Sequence, residues 1–349
     1  MEKQTIFILS LFQHGYKARY STLAHLLRGK RTTSILMYGF FYNILAYFSL
    51  FPNLTEKKVN QIVQRLLEAH LLIELSPGVV QISQKGRKYL DDHPVIEHRG
   101  LNSFYYGRVD EGFKELLMFA TQVISEYCHR NIQYQPIETN GHKQYLIRRW
   151  FQDLPKDRQV LGQDFYQEWR QLIESFPEAV RPFAVAALTG HGQIGLTAVQ
   201  LAELGSVDPF DIGLINKELC HLSIDQLLKT PESFPYISSL YESIDKPVVN
   251  KSALKSYQLF QKGYSLTEIC HQRQLKESTV NDHLIEWAIM SEDFDYGRVL
   301  VGKDREFFLQ LLRIEPNVRD WRYTDLGQGI DRISFLAFRC FQIQSIRGE

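Results

Sequence analysis

The stretch KSALKSYQLFQKGYSLTEICHQRQLKESTVNDHLIEWAI at residues 251–289 admits few folds. Leu254, Tyr257 and Phe260 recur at three-residue steps and face one way on a first helix, which Gly263 can stop by taking a left-handed conformation. Ser265 then caps a second, short helix, and Glu268 three residues on completes a capping box. Ile269 and Cys270 face inward there. A turn through Leu275 leads to a third helix whose inward stripe is Val280, Leu284 and Trp287. These lengths match a helix-turn-helix. In the usual docking the third helix offers Ser278, Thr279, Asn281, Asp282, His283 and Glu286 to base edges. Two of those are acids that phosphate would repel, and trihelical cores are also reused as protein-docking modules, so the unit suits contact with DNA or with protein.

A second pattern lies near the other end. Residues 34–51 are apolar on most faces and stop at Pro52, which predicts a buried core helix. Thr55 can cap the next helix, in which Val59, Ile62, Val63, Leu66 and Leu67 form the packing side. Lys57, Lys58, Asn60, Gln61, Gln64 and Arg65 are left on the other. Leu71–Leu75 and Val79–Ile82 read as two strands joined through Ser76-Pro77-Gly78, and Ser83-x-x-Gly86 opens a short helix. Helix, tight hairpin and helix is the pattern of a winged helix. The alternative is that the same helix and hairpin merely pack, with a solvated face that happens to be basic.

The net charge of zero hides separated blocks. Lys and Arg outnumber Asp and Glu by 12 to 4 over residues 1–90, fall behind by 14 to 22 over 91–250, and balance at 14 to 14 beyond. A polyanion would be drawn to the first block, because each phosphate it neutralises releases counterions.

The chain therefore reads as a mainly α, multi-domain protein: a winged-helix-like basic domain at 1–95, a central helical region at 96–245 and a helix-turn-helix domain at 246–349. Gly190, Gly192 and Gly195 imitate a dinucleotide fingerprint, but Pro182 and the alanines favour helix before them and no second strand follows. A glycine-rich turn between helices is expected instead. Metalloprotease, serine-hydrolase and P-loop motifs are absent from the sequence, so neither an enzyme activity nor a cofactor is expected. The four cysteines lack disulfide or zinc spacings; three precede histidines, but neighbours on a helix diverge by about 100° and seldom share one ion. No metal is expected, and a reducing cytoplasm fits. No stretch approaches the roughly 18 apolar residues of a membrane span.

The segment His25-Leu-Leu-Arg28-Gly-Lys30-Arg31-Thr-Thr33, the hairpin through Ser83-x-x-Gly86, the Leu-Thr-Gly turn at 188–190 with Gly195-Leu-Thr and Gln200-Leu-Ala, and the C-terminal helix-turn-helix together resemble the YpbB-like proteins of Firmicutes. The resemblance runs over nearly the whole chain. It implies a protein encoded beside a RecQ-type DNA helicase and serving it as an accessory factor, with DNA, duplex or forked, and the helicase as partners. On that reading Arg28, Lys30, Arg31, Lys57, Lys58, Gln61, Arg65, Lys85 and Lys88 hold phosphates, and Ser278, Thr279, Asn281 and His283 of the third helix meet DNA or protein. The competing readings are a sequence-specific regulator and a scaffold without DNA binding.

Overall fold

A computed structural model describes residues 1–244, 250–326 and 333–348. Along the chain come α1 (Lys3–Ser10), β1 (Ala18–Arg19), α2 (Tyr20–Leu27), α3 (Thr33–Phe41), α4 (Glu56–Glu68), β2 (Leu72–Ser76), β3 (Val79–Ile82) and α5 (Gln84–Asp92). The middle holds α6 (Ser103–Tyr106), α7 (Asp110–Cys128), α8 (Gly141–Gln152), α9 (Arg158–Ser175), α10 (Arg181–Ala186), α11 (Ala198–Gly205), α12 (Pro209–Lys229) and α13 (Pro235–Glu242). The last part holds α14 (Lys251–Gln261), α15 (Leu266–Arg273), α16 (Glu277–Met290), α17 (Gly302–Ile314) and α18 (Phe335–Arg347). The protein is mainly helical, as its punctuation predicts.

These elements form two compact units that do not follow sequence order. The first takes residues 1–21, 46–50 and 54–248; the second takes 22–45, 51–53 and 249–349. The basic N-terminal segment is thus divided, and residues 22–45, expected with the first domain, belong with the C-terminal helices. The expected single helix over 34–51 is divided too. It ends as α3 because Asn43 takes a left-handed φ of 53°. Its amide and the next bond back to Phe40 and Gly39 carbonyls at 3.3 and 2.9 Å, a Schellman closure.

In the first unit the sheet has the order β1-β3-β2, all antiparallel, with a bulge between Glu74 and Ser76. β3 sits where expected, β2 one residue later than expected, and β1 had no periodic signal in its two residues. Behind them α7, α9, α12 and α13 share an apolar core that includes Phe113, Leu161, Leu172, Ile212, Ile224 and Leu240. The glycine-rich segment is a turn between α10 and α11, as expected: a Cβ on Gly195 would fall 2.1 Å from the Ala187 carbonyl oxygen, and Thr197 with Gln200 forms a capping box. Among the described residues no helix is long and apolar enough to cross a membrane.

One buried carboxylate closes this core. Glu168 accepts the backbone N–H groups of Tyr236 and Ile237 at 2.8 Å each, capping α13 from the side of α9. Burial raises its pKa, the two amides oppose the rise, and the result lies near 7 against an ordinary 4.5. A folded-state pKa above the unfolded one means that this group's contribution to stability is complete below pH 4.5 and is lost as pH rises through 7. Chemical denaturation between pH 5 and 8 is expected to show that decline, and Glu168→Gln to flatten it while lowering stability by about 1 kcal/mol for the amide left unpaired. An unchanged pH slope in the variant would assign the decline elsewhere.

Candidate nucleic-acid interface

The periodicity of α4 separates its two sides cleanly. Val59, Ile62, Val63 and Leu66 are buried, while Lys57, Lys58, Asn60, Gln61, Gln64 and Arg65 are all exposed. Thr55 caps the helix, its hydroxyl accepting the Lys58 amide at 3.3 Å. Lys57 and Lys58 stand in the first turn, where the helix dipole disfavours cations by a few tenths of a kcal/mol, so an anion seated there relieves an existing repulsion. Arg65 lies 3.8 Å from Glu2, but both side chains are well exposed and such a pair is worth little.

The hairpin and α5 hold this helix in place. The Ser83 hydroxyl accepts the Gly86 amide at 2.8 Å and donates to the His70 carbonyl at 2.7 Å. A Cβ at Gly86 would meet the Leu71 carbonyl oxygen at 2.2 Å, which is why the serine is followed by glycine at this spacing. Lys85 donates to the Ala69 carbonyl at 2.9 Å and so closes the C-terminal end of α4. Lys88 is exposed on α5. The two hairpin strands, β2 and β3, carry no Lys or Arg.

The remaining predicted cations belong to the second unit. Arg28 and Lys30 are exposed at the end of α2, beside Gly29 at a φ of 81°. Arg31 is turned inward. Its Nε and Nη2 both reach Glu286 Oε1 on α16 at 2.8 Å, with side chains only 13 and 7 % exposed. Asn250 donates to the other oxygen of Glu286 at 3.4 Å. Two residues on, the Thr33 hydroxyl donates to Asp282.

The helix-turn-helix itself is built as its sequence predicts. Gly263 has a φ of 97°, Ser265 and Glu268 form a complete capping box, and Ile269, Val280 and Leu284 are fully buried. Trp287 stacks on Tyr257 with ring centroids 4.5 Å apart. Cys270 is only half-buried, because the short α15 exposes most of its circumference.

Residues 252–342 match the family described as Helix-turn-helix domain. Protein YpbB of Bacillus subtilis (strain 168) is 20 % identical over 330 residues, which span 93 % of this chain and 90 % of that one. The chain is similar to YpbB over nearly its whole length and carries a helix-turn-helix domain. No solved structure matches it significantly.

In this YpbB-like chain the outer face of the third helix differs from the sequence expectation. Asn281 and His283 are buried along with Glu286, whereas Ser278 is exposed and Thr279 half-exposed. The helix is packed on several sides, by α14, α15 and α18 and, through Arg31 and Thr33 at its start, by α3. His283 bonds Ser256 at 2.9 Å, and burial followed by the nearby Arg273 guanidinium pushes its pKa down. Arg31, expected to meet phosphate, instead neutralises Glu286. Asn281 and His283 therefore do not present base-reading groups to solvent.

The central region contains a polar cluster that no motif announced. Asp110 accepts from Lys217 at 2.8 Å and faces His221 Nε2 at 3.2 Å, while the Asn102 amide donates to His221 Nδ1 at 2.9 Å. Burial favours neutral Asp110, but the His221 and Lys217 hydrogen bonds outweigh it and hold the carboxyl near pH 2. Cys220 adjoins this pair, yet its thiol donates to the Asp110 carbonyl at 3.1 Å and burial raises its pKa, so the trio is not arranged as an activated nucleophile. Among the described residues no cluster of three or more His, Cys, Asp or Glu could hold a metal ion.

Breaking one side of the Arg31–Glu286 pair strands a buried charge, so Arg31→Ala is expected to cost about 3 kcal/mol. Combining it with Glu286→Gln is expected to cost less than the sum of the two, by about 1–3 kcal/mol of coupling. Denaturation of the full chain with hydrogen exchange read across α16 measures both quantities; strictly additive effects would contradict the pairing.

Proposed function

We propose that the chain is a DNA-associated protein that grips the phosphodiester backbone without reading sequence and assists a RecQ-type helicase in the cytoplasm, with no catalysis of its own. The observation that carries the reading is the exposed side of α4, where Lys57, Lys58, Gln61 and Arg65 stand together over a fully packed opposite side. Burial of Asn281 and His283 favours backbone contact over base readout. The helicase enters through the resemblance to YpbB-like proteins, whose members are typically encoded beside one. Those phosphate contacts would supply in trans a grip that a short helicase lacks.

The same burial favours a second reading for the C-terminal unit. A third helix packed on this many sides makes a rigid protein-docking scaffold, which would contact the helicase rather than the nucleic acid.

Titrating the full chain with fluorescent duplex, forked and single-stranded DNA at two salt concentrations tests the DNA reading. Lys57→Ala with Lys58→Ala is expected to weaken all three and lower the salt slope by about two. No binding to any DNA would overturn that reading; binding with an unchanged slope would overturn its placement on α4. The helicase reading predicts co-purification with the organism's RecQ-type helicase and a changed unwinding rate, and fails if neither occurs.

A further inference from the structure

α8 lies in the acid-rich middle of the chain, yet its sequence GHKQYLIRRWFQ contains no Asp or Glu. Its two sides are well separated. Ile147 and Trp150 are buried with Leu146 and Phe151 beside them, and the Trp150 indole N–H donates to the Ser239 hydroxyl at 2.9 Å, which anchors the helix to α13. Tyr145, Arg148, Arg149 and Gln152 follow at steps of three, one and three residues, so they share a single ridge opposite that core, and all four are exposed. The Asn140 side chain caps the helix by accepting the His142 and Lys143 amides at 2.9 and 3.2 Å. The ridge therefore stands on a capped and anchored helix.

The neighbouring cations are occupied. Lys143 pairs with Glu115 and, at 3.2 Å, with Glu138. Lys156 donates to the Phe151 and Gln152 carbonyls at 3.1 and 2.7 Å and closes the C-terminal end of α8. The Arg158 guanidinium lies over the Tyr127 ring, 4.6 Å from its centroid. Arg148 and Arg149 differ: among the described residues neither makes a hydrogen bond or an ion pair, and Asp153, four residues beyond Arg149, is not paired with it. A cation in the last turn favours the helix dipole, which accounts for Arg149 alone. It does not account for Arg148 or for Tyr145, which is 57 % exposed and has no ring or hydrogen-bond partner among the described residues. Arg148 also lies in electrostatic range of the Tyr134 hydroxyl, which brings a second, half-buried ring near the ridge.

We propose that this ridge binds single-stranded DNA. The choice follows from the mixture of groups. Two guanidinium groups without counter-ions neutralise phosphates, and their planes, like the Tyr145 ring, accept an unpaired base by stacking. Duplex DNA offers the same phosphates but keeps its base faces covered, so it leaves Tyr145 unused. An acidic protein surface would pair the arginines and leave the ring unused as well. The inference rests on the reading of the chain as DNA-associated and adds to it a surface, distinct from α4, that tells an opened strand from a duplex.

The test uses the full chain with a single-stranded oligonucleotide and the duplex of the same length. Tyr145→Ala is expected to weaken the single strand about tenfold, the scale of one lost base stack, and to leave duplex affinity unchanged. Tyr145→Phe, which keeps the ring, should bind as the unsubstituted chain does. Arg148→Gln with Arg149→Gln should weaken the single strand, lower its salt slope by about 1.4, at roughly 0.7 per phosphate, and leave the duplex unchanged. All these positions are exposed, and unchanged circular dichroism verifies the fold. Lys57→Ala with Lys58→Ala serves as the control and should weaken duplex and single strand by a similar factor. Single-strand affinity unaffected by every α8 substitution overturns the proposal and leaves the DNA reading on α4 standing. Duplex and single strand weakened equally by the α8 substitutions also overturn it, by making the ridge a plain phosphate contact. No binding of either DNA to the unsubstituted chain removes both readings.

Discussion

A carboxylate buried in a helix face must find a cation or lose its charge, and Glu286 finds Arg31 from 255 residues away. Much of the second unit's composition follows from that requirement. Arg31 brings α3 with it, Thr33 adds its bond to Asp282, and α3 then supplies apolar cover through Ile35, Leu36 and Met37, which are all buried. The pair contributes less as net attraction than as registry: it determines which segment lies on α16 and in what position. A C-terminal fragment starting near residue 250 would leave the buried Glu286 without its Arg31 partner, so the matched helix-turn-helix segment in this chain depends on residues 22–45 to pair it.

That arrangement divides the chemistry of the N-terminal cations. Those on α4 are exposed on the first unit. Those around Gly29 belong to the second unit, where Arg28 and Lys30 are exposed and Arg31 is consumed inside by Glu286. A charge count by sequence block treats them as one surface. The fold distributes them over two compact units.

Local signals were legible where both partners of an interaction lie close in sequence. Gly263, the Ser265–Glu268 box, the Thr55 cap, the Ser83–Gly86 pair and the Pro77-Gly78 turn each act over four residues or fewer, and each does what its sequence spacing implies. The cover on α16 was not legible, because hydrophobic periodicity identifies the side of a helix facing its sequence neighbours and says nothing about a partner from the far end of the chain. One sign was present. Together with Val280 and Trp287, the residues Leu284, Ile285, Ala288 and Ile289 spread apolar groups over an arc of about 200°, which suits burial on several sides better than a reading helix with a narrow inward stripe. Asn43, similarly, is a residue that tolerates the left-handed turn and could have marked the end of α3 before Pro52. The Asp110–Lys217–His221 cluster had no sequence signal, since Asp110 lies more than a hundred residues from the other two.

The central claim is that α3 packs on the third helix of the helix-turn-helix, so that on the proposed function DNA is held elsewhere. A disulfide between cysteines placed at Thr33 and Asp282, whose side chains touch, would lock α3 onto α16 in the full chain. The account predicts that the cross-link forms readily under mild oxidation and that duplex affinity is the same in the oxidised and reduced forms. Loss of DNA binding on oxidation, restored by reduction, would contradict it by showing that α3 must leave for α16 to reach the nucleic acid.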